Sequence, residues 1–201
     1  MSVMREAASG PADQAGHRPS AARERILATA SRLFYSEGIH AVGVDRVIAE
    51  SGVAKATLYA HFTSKEELVA AYLAQASDEW QQWMRTSLER AALPPGESVL
   101  AVFDLVGERF QAPGFRGCPF INAAAEFPGP GRVTERIDAH RTRVRDLFAG
   151  LARSAGAAGP ESLADTLTML YDGAMISAQL DGRPAAAQDA REVARGLLAA
   201  A

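Results

Sequence analysis

Apolar positions recur along the chain at intervals of three and four, without strand-like alternation, and that period belongs to α-helices. Ile26, Leu27, Ala30, Leu33 and Phe34 mark the inner face of a first helix that Ser20 can cap. Gly38 stops it, and Ile39 just beyond can fold back on Phe34, a contact common at glycine C-caps. A short second helix is expected from about Val44 to Ser51, with Asp45 suited to its positive end. Gly52 breaks it before a third, from Val53 to about His61. Thr63-Ser64-Lys65-Glu66 reads as a capping box in which Thr63 and Glu66 satisfy each other's backbone donors. It launches a long helix carrying Leu68, Val69, Tyr72, Leu73, Trp80, Trp83, Met84 and Leu88, ended by Pro94-Pro95-Gly96. Proline and glycine clusters punctuate five more, at about 97–111, 119–127, 133–154, 160–181 and 185–200. The pattern predicts an all-α protein of about nine helices.

Composition changes this picture little. Of 201 residues, 48% are apolar and 22% charged, ordinary for a globular protein. Residues 1–19 lack an apolar stretch and read as a disordered polar tail. No apolar run approaches the roughly 18–20 residues that span a bilayer, so a cytoplasmic protein with no membrane partner is expected. Cys118 is the only cysteine, which excludes an intrachain disulfide and a cysteine zinc site. The formal charge of −3 does not advertise nucleic acid, but its distribution is uneven. Residues 18–65 carry seven Lys/Arg against four Asp/Glu, while 66–201 carry thirteen against eighteen. That modest basic excess alone would not justify a nucleic-acid reading.

The stretch ESGVAKATLYAHFTSKEEL sharpens it. Two short helices meeting at Gly52 have helix-turn-helix spacing. Val47, Ile48, Val53, Leu58 and Phe62 can pack the pair against helix one, leaving Lys55, Thr57, Tyr59 and His61 on the other side. Ammonium, hydroxyl, phenol and imidazole are groups that grip phosphate or reach base edges. The capped start of helix four offers free backbone N–H groups plus Lys65, a phosphate site. Spacing alone leaves open that the motif is a packing corner with a solvated face.

The segment ARERILATASRLFYSEGIHAVGVDRVIAESGVAKATLYAHFTSKEEL resembles the N-terminal domain of TetR/AcrR-family transcriptional regulators. The matching features are Leu33-Phe34, Gly38, Ser51-Gly52-Val53, the run from Lys55 to Phe62 in KATLYAHF, and Lys65-Glu66-Glu67-Leu68. Gly43 and Ala54 depart from the pattern at positions often held by a hydroxyl residue, so neither is credited with a cap or phosphate contact. The resemblance implies a helix-turn-helix DNA-binding domain over 20–79, with the motif at about 43–62 and helix four shared with the next domain. It implies that Lys55, Thr57, Tyr59, His61 and Lys65 touch DNA, mostly phosphate, and makes Arg46 and Ala56 candidates at the groove. It further implies a homodimer on a palindromic operator in double-stranded DNA, most simply as a ligand-responsive repressor, with 80–201 forming an effector-binding and dimerisation domain. No cofactor or metal is implied.

The remaining candidates carry two readings each. Trp80, Trp83, Phe103, Phe110 and Phe120, with Asn122 as polar anchor, could line a pocket for a small apolar or aromatic effector, or be plain core. Leu163, Leu167, Leu170, Gly173, Ala174 and Ser177 form a stripe that suits either a four-helix dimer interface or internal packing. Pro119 fits a first helical position, placing Cys118 near a positive helix end that can lower a thiol pKa; it is a possible sensor thiol for oxidants or electrophiles, or inert. His140, beside Arg136, Arg141, Arg143 and Arg145, reads as surface, with the arginines paired to Glu135, Asp138 and Asp146. No phosphate-cradling glycine loop, His-Glu-x-x-His helix or Gly-x-Ser-x-Gly elbow supports an enzyme. A ligand-independent architectural DNA-binding protein, or a regulator sensing redox state or electrophiles through Cys118, are the rival functions.

Overall fold

The computed structural model describes residues 20–200, and the expected tail at 1–19 lies outside them. Nine helices follow in order: α1 (Ala21–Glu37), α2 (Val44–Ser51), α3 (Lys55–His61), α4 (Lys65–Ala91), α5 (Pro95–Phe110), α6 (Pro119–Glu126), α7 (Arg132–Ser154), α8 (Pro160–Leu180) and α9 (Ala186–Ala200). No strand occurs among the described residues, and no helix there is long and apolar enough to cross a membrane. The caps explain most of these limits. Ser20 Oγ accepts the Arg23 N–H at 3.2 Å to start α1. Gly52 ends α2 at φ 65°, a left-handed turn glycine enters without steric cost. The start of α4 departs from expectation by one residue. Ser64, not Thr63, is its N-cap and accepts Glu67 N–H at 3.1 Å, while Glu67 Oε2 takes Thr63 N–H at 2.8 Å. Glu66 instead accepts from Arg132 N–H at 3.2 Å, tying α4 to α7.

Helices α1–α3 pack around Ile26, Leu33, Phe34, Val47, Leu58 and Phe62, all nearly without solvent contact. The 27-residue α4 runs unbroken from this unit into the remainder, where it lies against α5, α6 and α7. Helix α7 is central, and its arginines reach other helices rather than the same-helix acids expected of them. Arg141 pairs with Asp172, Arg143 with Asp78 and Arg145 with Asp165, at 2.7, 2.6 and 2.6 Å.

His140 is a second correction, since it is 4% exposed rather than on the surface. It falls in the buried stripe Val133, Ile137, His140, Val144, Phe148, whose spacing of four and three already included it. Its ring stacks on Phe120 with centroids 3.6 Å apart and planes 5° from parallel. Burial first, then the Arg143 and Arg141 cations, hold its pKa down to about 3 from 6.5. The unfolded chain therefore takes up this proton well before the folded one. Stability contributed by the neutral ring is complete above pH 6.5 and is lost as pH falls toward 3, at about 1.4 kcal/mol per pH unit. Denaturant titrations from about pH 7 to about pH 4 should show this slope. His140→Phe, which keeps a flat ring in place, should remove one proton from it; an unchanged slope would refute the assignment.

Candidate nucleic-acid interface and cavity

On α3 the helical period sorts the motif cleanly. Leu58 faces the core at 1% exposure, whereas Lys55, Ala56 and Tyr59 share the outward face and Tyr59 is 42% exposed. Thr57 and His61 lie half-buried on a flank. His61 Nε2 is 3.0 Å from Ser20 Oγ, so the ring is held against the start of α1. Lys55 Nζ meets Asp45 Oδ1 at 3.4 Å, with both side chains largely solvated. Such a pair is worth little and leaves the ammonium available to another anion. Lys65 is half-buried at the first turn of α4, where burial lowers its pKa and the Glu126 carboxylate opposes that.

Arg46 stands differently. Its guanidinium bridges Glu37 at 2.5 and 2.8 Å and Glu50 at 2.8 Å, and Glu50 also binds Arg32. These carboxylates raise its pKa further and hold the side chain across α1 and α2. A groove contact by Arg46 would have to break that network, a cost Lys55 does not face.

The second feature is a cavity of about 310 Å³ lined by α1, α4, α5, α6, α7 and α8 and by the turn before α6. Of the six expected lining residues, Trp80, Trp83, Phe110 and Phe120 border it. Phe103 does not: it is fully buried and stacked on Phe148, centroids 5.8 Å apart, as core. Asn122 does not either. Its side chain donates to Arg116 O at 2.9 Å and accepts from Gln179 at 3.0 Å, fixing α6 to its preceding turn and to α8. Reading along the chain misses Ser31, Tyr35, Arg109, His140, Tyr171 and Met175 as lining, because they come from separate helices with no shared motif. Cys118 borders the cavity as a buried thiol. Burial raises its pKa against the smaller opposing pull of the Ile121 and Phe120 backbone N–H groups, which favours the inert of the two readings over the sensor thiol.

Several contacts tie this cavity wall to the α1–α2 corner. Tyr35 Oη donates to Gly117 O at 3.2 Å and accepts Arg116 N–H at 2.9 Å. The Arg116 guanidinium donates to Ser36 O, and Glu126 accepts the Ile39 and His40 N–H groups.

The residues expected as a dimer stripe on α8 differ in exposure. Leu163, Leu167 and Ala174 are buried within the monomer against neighbouring helices, and Leu170 and Ser177 are half-buried. What α8 leaves open is Met169, Gly173, Ile176 and Leu180, with the three large residues 65, 40 and 74% exposed, beside Val193 of α9 at 51%.

An exposed polar short helix behind a glycine-bent turn, on an all-helical body with its own cavity, defines a helix-turn-helix protein. Residues 26–72 match the model of bacterial regulatory proteins of the tetR family, and 95–194 that of the tetracyclin repressor-like C-terminal domain. A crystal structure of a TetR-family transcriptional regulator from Streptomyces coelicolor is 38% identical, with TM-score 0.80, over 88% of this chain and 94% of that one. The chain belongs to the TetR family. The HTH-type transcriptional regulator LmrA of Bacillus subtilis is 32% identical over 108 residues, covering 52% of this chain and 56% of that protein. The chain thus spans about half the length of the curated relatives it matches. The reduced form of NemR from E. coli shares the fold, with TM-score 0.80 at 21% identity over 87% of this chain and 95% of that one.

Proposed function

We propose that the protein is a ligand-responsive repressor that binds a palindromic operator as a homodimer and releases it when a small apolar or aromatic effector fills the 310 Å³ cavity. The observation that carries this reading is the shared wall. Ser31 and Tyr35 belong to α1, which packs on the helix-turn-helix, and Tyr72, Trp80 and Trp83 belong to α4, which begins beside it. An occupant must press on both, and coupling requires that kind of unequal contact with two arrangements of the same helices. Lys55, Ala56 and Tyr59 enter the major groove in this account, with Ala56 offering a methyl to thymine. Thr57, His61 and Lys65 contact phosphate from the flanks, and Arg46 stays with its carboxylates. The division into a DNA-binding unit at 20–79 and an effector unit at 80–201 then falls within α4. A permanently bound architectural protein has no use for an aromatic-lined cavity beside its DNA-reading unit, and a thiol buried and protonated as Cys118 is suits packing better than sensing.

The open face of α8 supplies the second copy's seat. A two-fold pair presents two α3 helices, which favours a site with half-sites about 34 Å apart or a multiple of that. DNA recovered by the protein from a random pool should converge on a two-fold symmetric sequence with that spacing. Recovery of an asymmetric site, or of no preferred sequence, would overturn the dimeric operator reading.

A further inference from the structure

The polar atoms around the cavity are unbalanced. Trp80 Nε1–H is spent on Tyr171 Oη at 3.1 Å, which leaves the Tyr171 O–H as a donor with no acceptor among the described residues. Burial pushes this phenol's pKa up, so it keeps its proton. Ser77 Oγ accepts from Arg143 at 3.0 Å and lies 2.9 Å from His140 Nδ1, to which it donates in one of the two neutral tautomers of the ring. The imidazole is neutral, and in that tautomer its hydrogen is on Nε2, a further donor. Ser31 Oγ is buried with no partner among the described residues. Arg109, its guanidinium 4.8 Å over the Trp83 ring, adds a cation to the wall.

The Tyr35 and Gly117 acceptors are already engaged, whereas the Glu79 carboxylate uses one of its two oxygens. The Tyr35 hydroxyl and the Gly117 carbonyl bind each other, with Tyr35 also accepting from Arg116. Glu79 accepts from Gln75 at 2.7 Å. Buried donors left without partners cost free energy that a suitable guest would recover. The apolar boundary is aromatic and flat: the parallel Phe120–His140 pair forms one wall, with Trp80 edge-on to His140 at 5.1 Å.

We infer, on the basis of the effector reading above, that the cavity is made for a flat aromatic molecule bearing a hydrogen-bond-accepting oxygen, whether a carbonyl or a phenolate or carboxylate anion. The aromatic faces take the ring system, and the donors on the wall, Tyr171, Ser31 and His140, are the groups offered to the oxygen. A volume of 310 Å³ is at the small end of the roughly 300–1,000 Å³ usual for such sites, which suits two or three fused rings.

The molecule supplies its own reporter. Both tryptophans of the chain, Trp80 and Trp83, line this cavity, so intrinsic fluorescence of the full-length protein reads its occupancy. Four naphthalene probes of one shape separate the possibilities: the 2-acetyl ketone, the 2-ethyl hydrocarbon, 2-naphthoate and 2-naphthylmethylammonium. The ketone should bind about tenfold more tightly than the ethyl compound of nearly the same outline, and the ammonium ion should bind worst. Naphthoate binding more tightly than the ketone assigns an anionic oxygen facing Arg109; the opposite order assigns a neutral carbonyl. Ser31→Ala, which deletes one oxygen, and His140→Phe, which keeps the stack, should each narrow the ketone's advantage and leave the ethyl compound's affinity unchanged. Equal binding of ketone and ethyl compound would overturn the donor assignment while leaving an effector cavity standing. Failure of all four probes to alter tryptophan emission would overturn both.

Discussion

Phe62→Ala is expected to cost the folded protein about 3–5 kcal/mol and to abolish operator binding near physiological temperature. Phe62 caps the C-terminal end of α3 and is 1% exposed, among the largest side chains without solvent contact. It packs with Ile26, Leu33, Leu58 and Leu68 in the shared core, and the Arg23 guanidinium lies 5.1 Å over its ring. Truncation removes the apolar area and leaves a cavity that α3 is too short to close. Seven residues make fewer than two turns, so α3 holds its orientation through tertiary packing rather than through its own helical stability. Against a total of about 5–15 kcal/mol, the loss is large. Urea unfolding followed by helical circular dichroism, at one fixed protein concentration because association adds to apparent stability, measures it directly. Phe62→Leu should lose much less, and a loss under about 1 kcal/mol in Phe62→Ala would mean that α3 is held by something other than this ring.

Ile176→Asp should convert the dimer to monomer without disturbing the monomer's helices. Met169, Ile176 and Leu180 repeat at seven and four on α8, one open strip. Gly173 lies between them with nothing within 4 Å of the position a Cβ would take, so a partner helix can come close there. Contiguous exposed apolar side chains of this kind mark an association surface, and in a two-fold pair every substitution acts twice. An unpaired carboxylate sealed into such an interface costs about 3–5 kcal/mol. In the monomer Ile176 is 40% exposed, so circular dichroism should be unchanged while sedimentation shows half the mass. Operator affinity should fall with it, because a single α3 reads too few bases. Ile176→Leu should behave as the parent. A mutant that remains dimeric would move the interface elsewhere on the molecule.

Nearly all of the helical layout was legible in the chain, because capping residues, glycines and prolines act over four or five positions. The outward placement of Lys55 and Tyr59 was legible for the same reason, since Leu58 and Phe62 are inside, whereas Thr57 and His61, expected beside them, lie half-buried on a flank. Even locally there were limits. Thr63 and Ser64 are both good caps one residue apart, and the choice fell to Ser64 because Glu67, rather than Glu66, closes the turn while Glu66 is drawn to Arg132 on α7.

The helical order, the helix-turn-helix spacing and the family resemblance were thus legible in order along the chain alone. Which apolar stripe of α8 faces inward was not, since that helix carries two, and only its packing against α5, α7 and α9 buries Leu163, Leu167 and Ala174 while baring Met169, Ile176 and Leu180. The same holds for the cavity. Periodicity reports which residues share a face, but the neighbour that covers a face depends on helices far away in sequence. Phe103 was therefore claimed by the core beside Phe148, and His140 brought in from an arginine-rich helix to sit between Phe120 and Trp80.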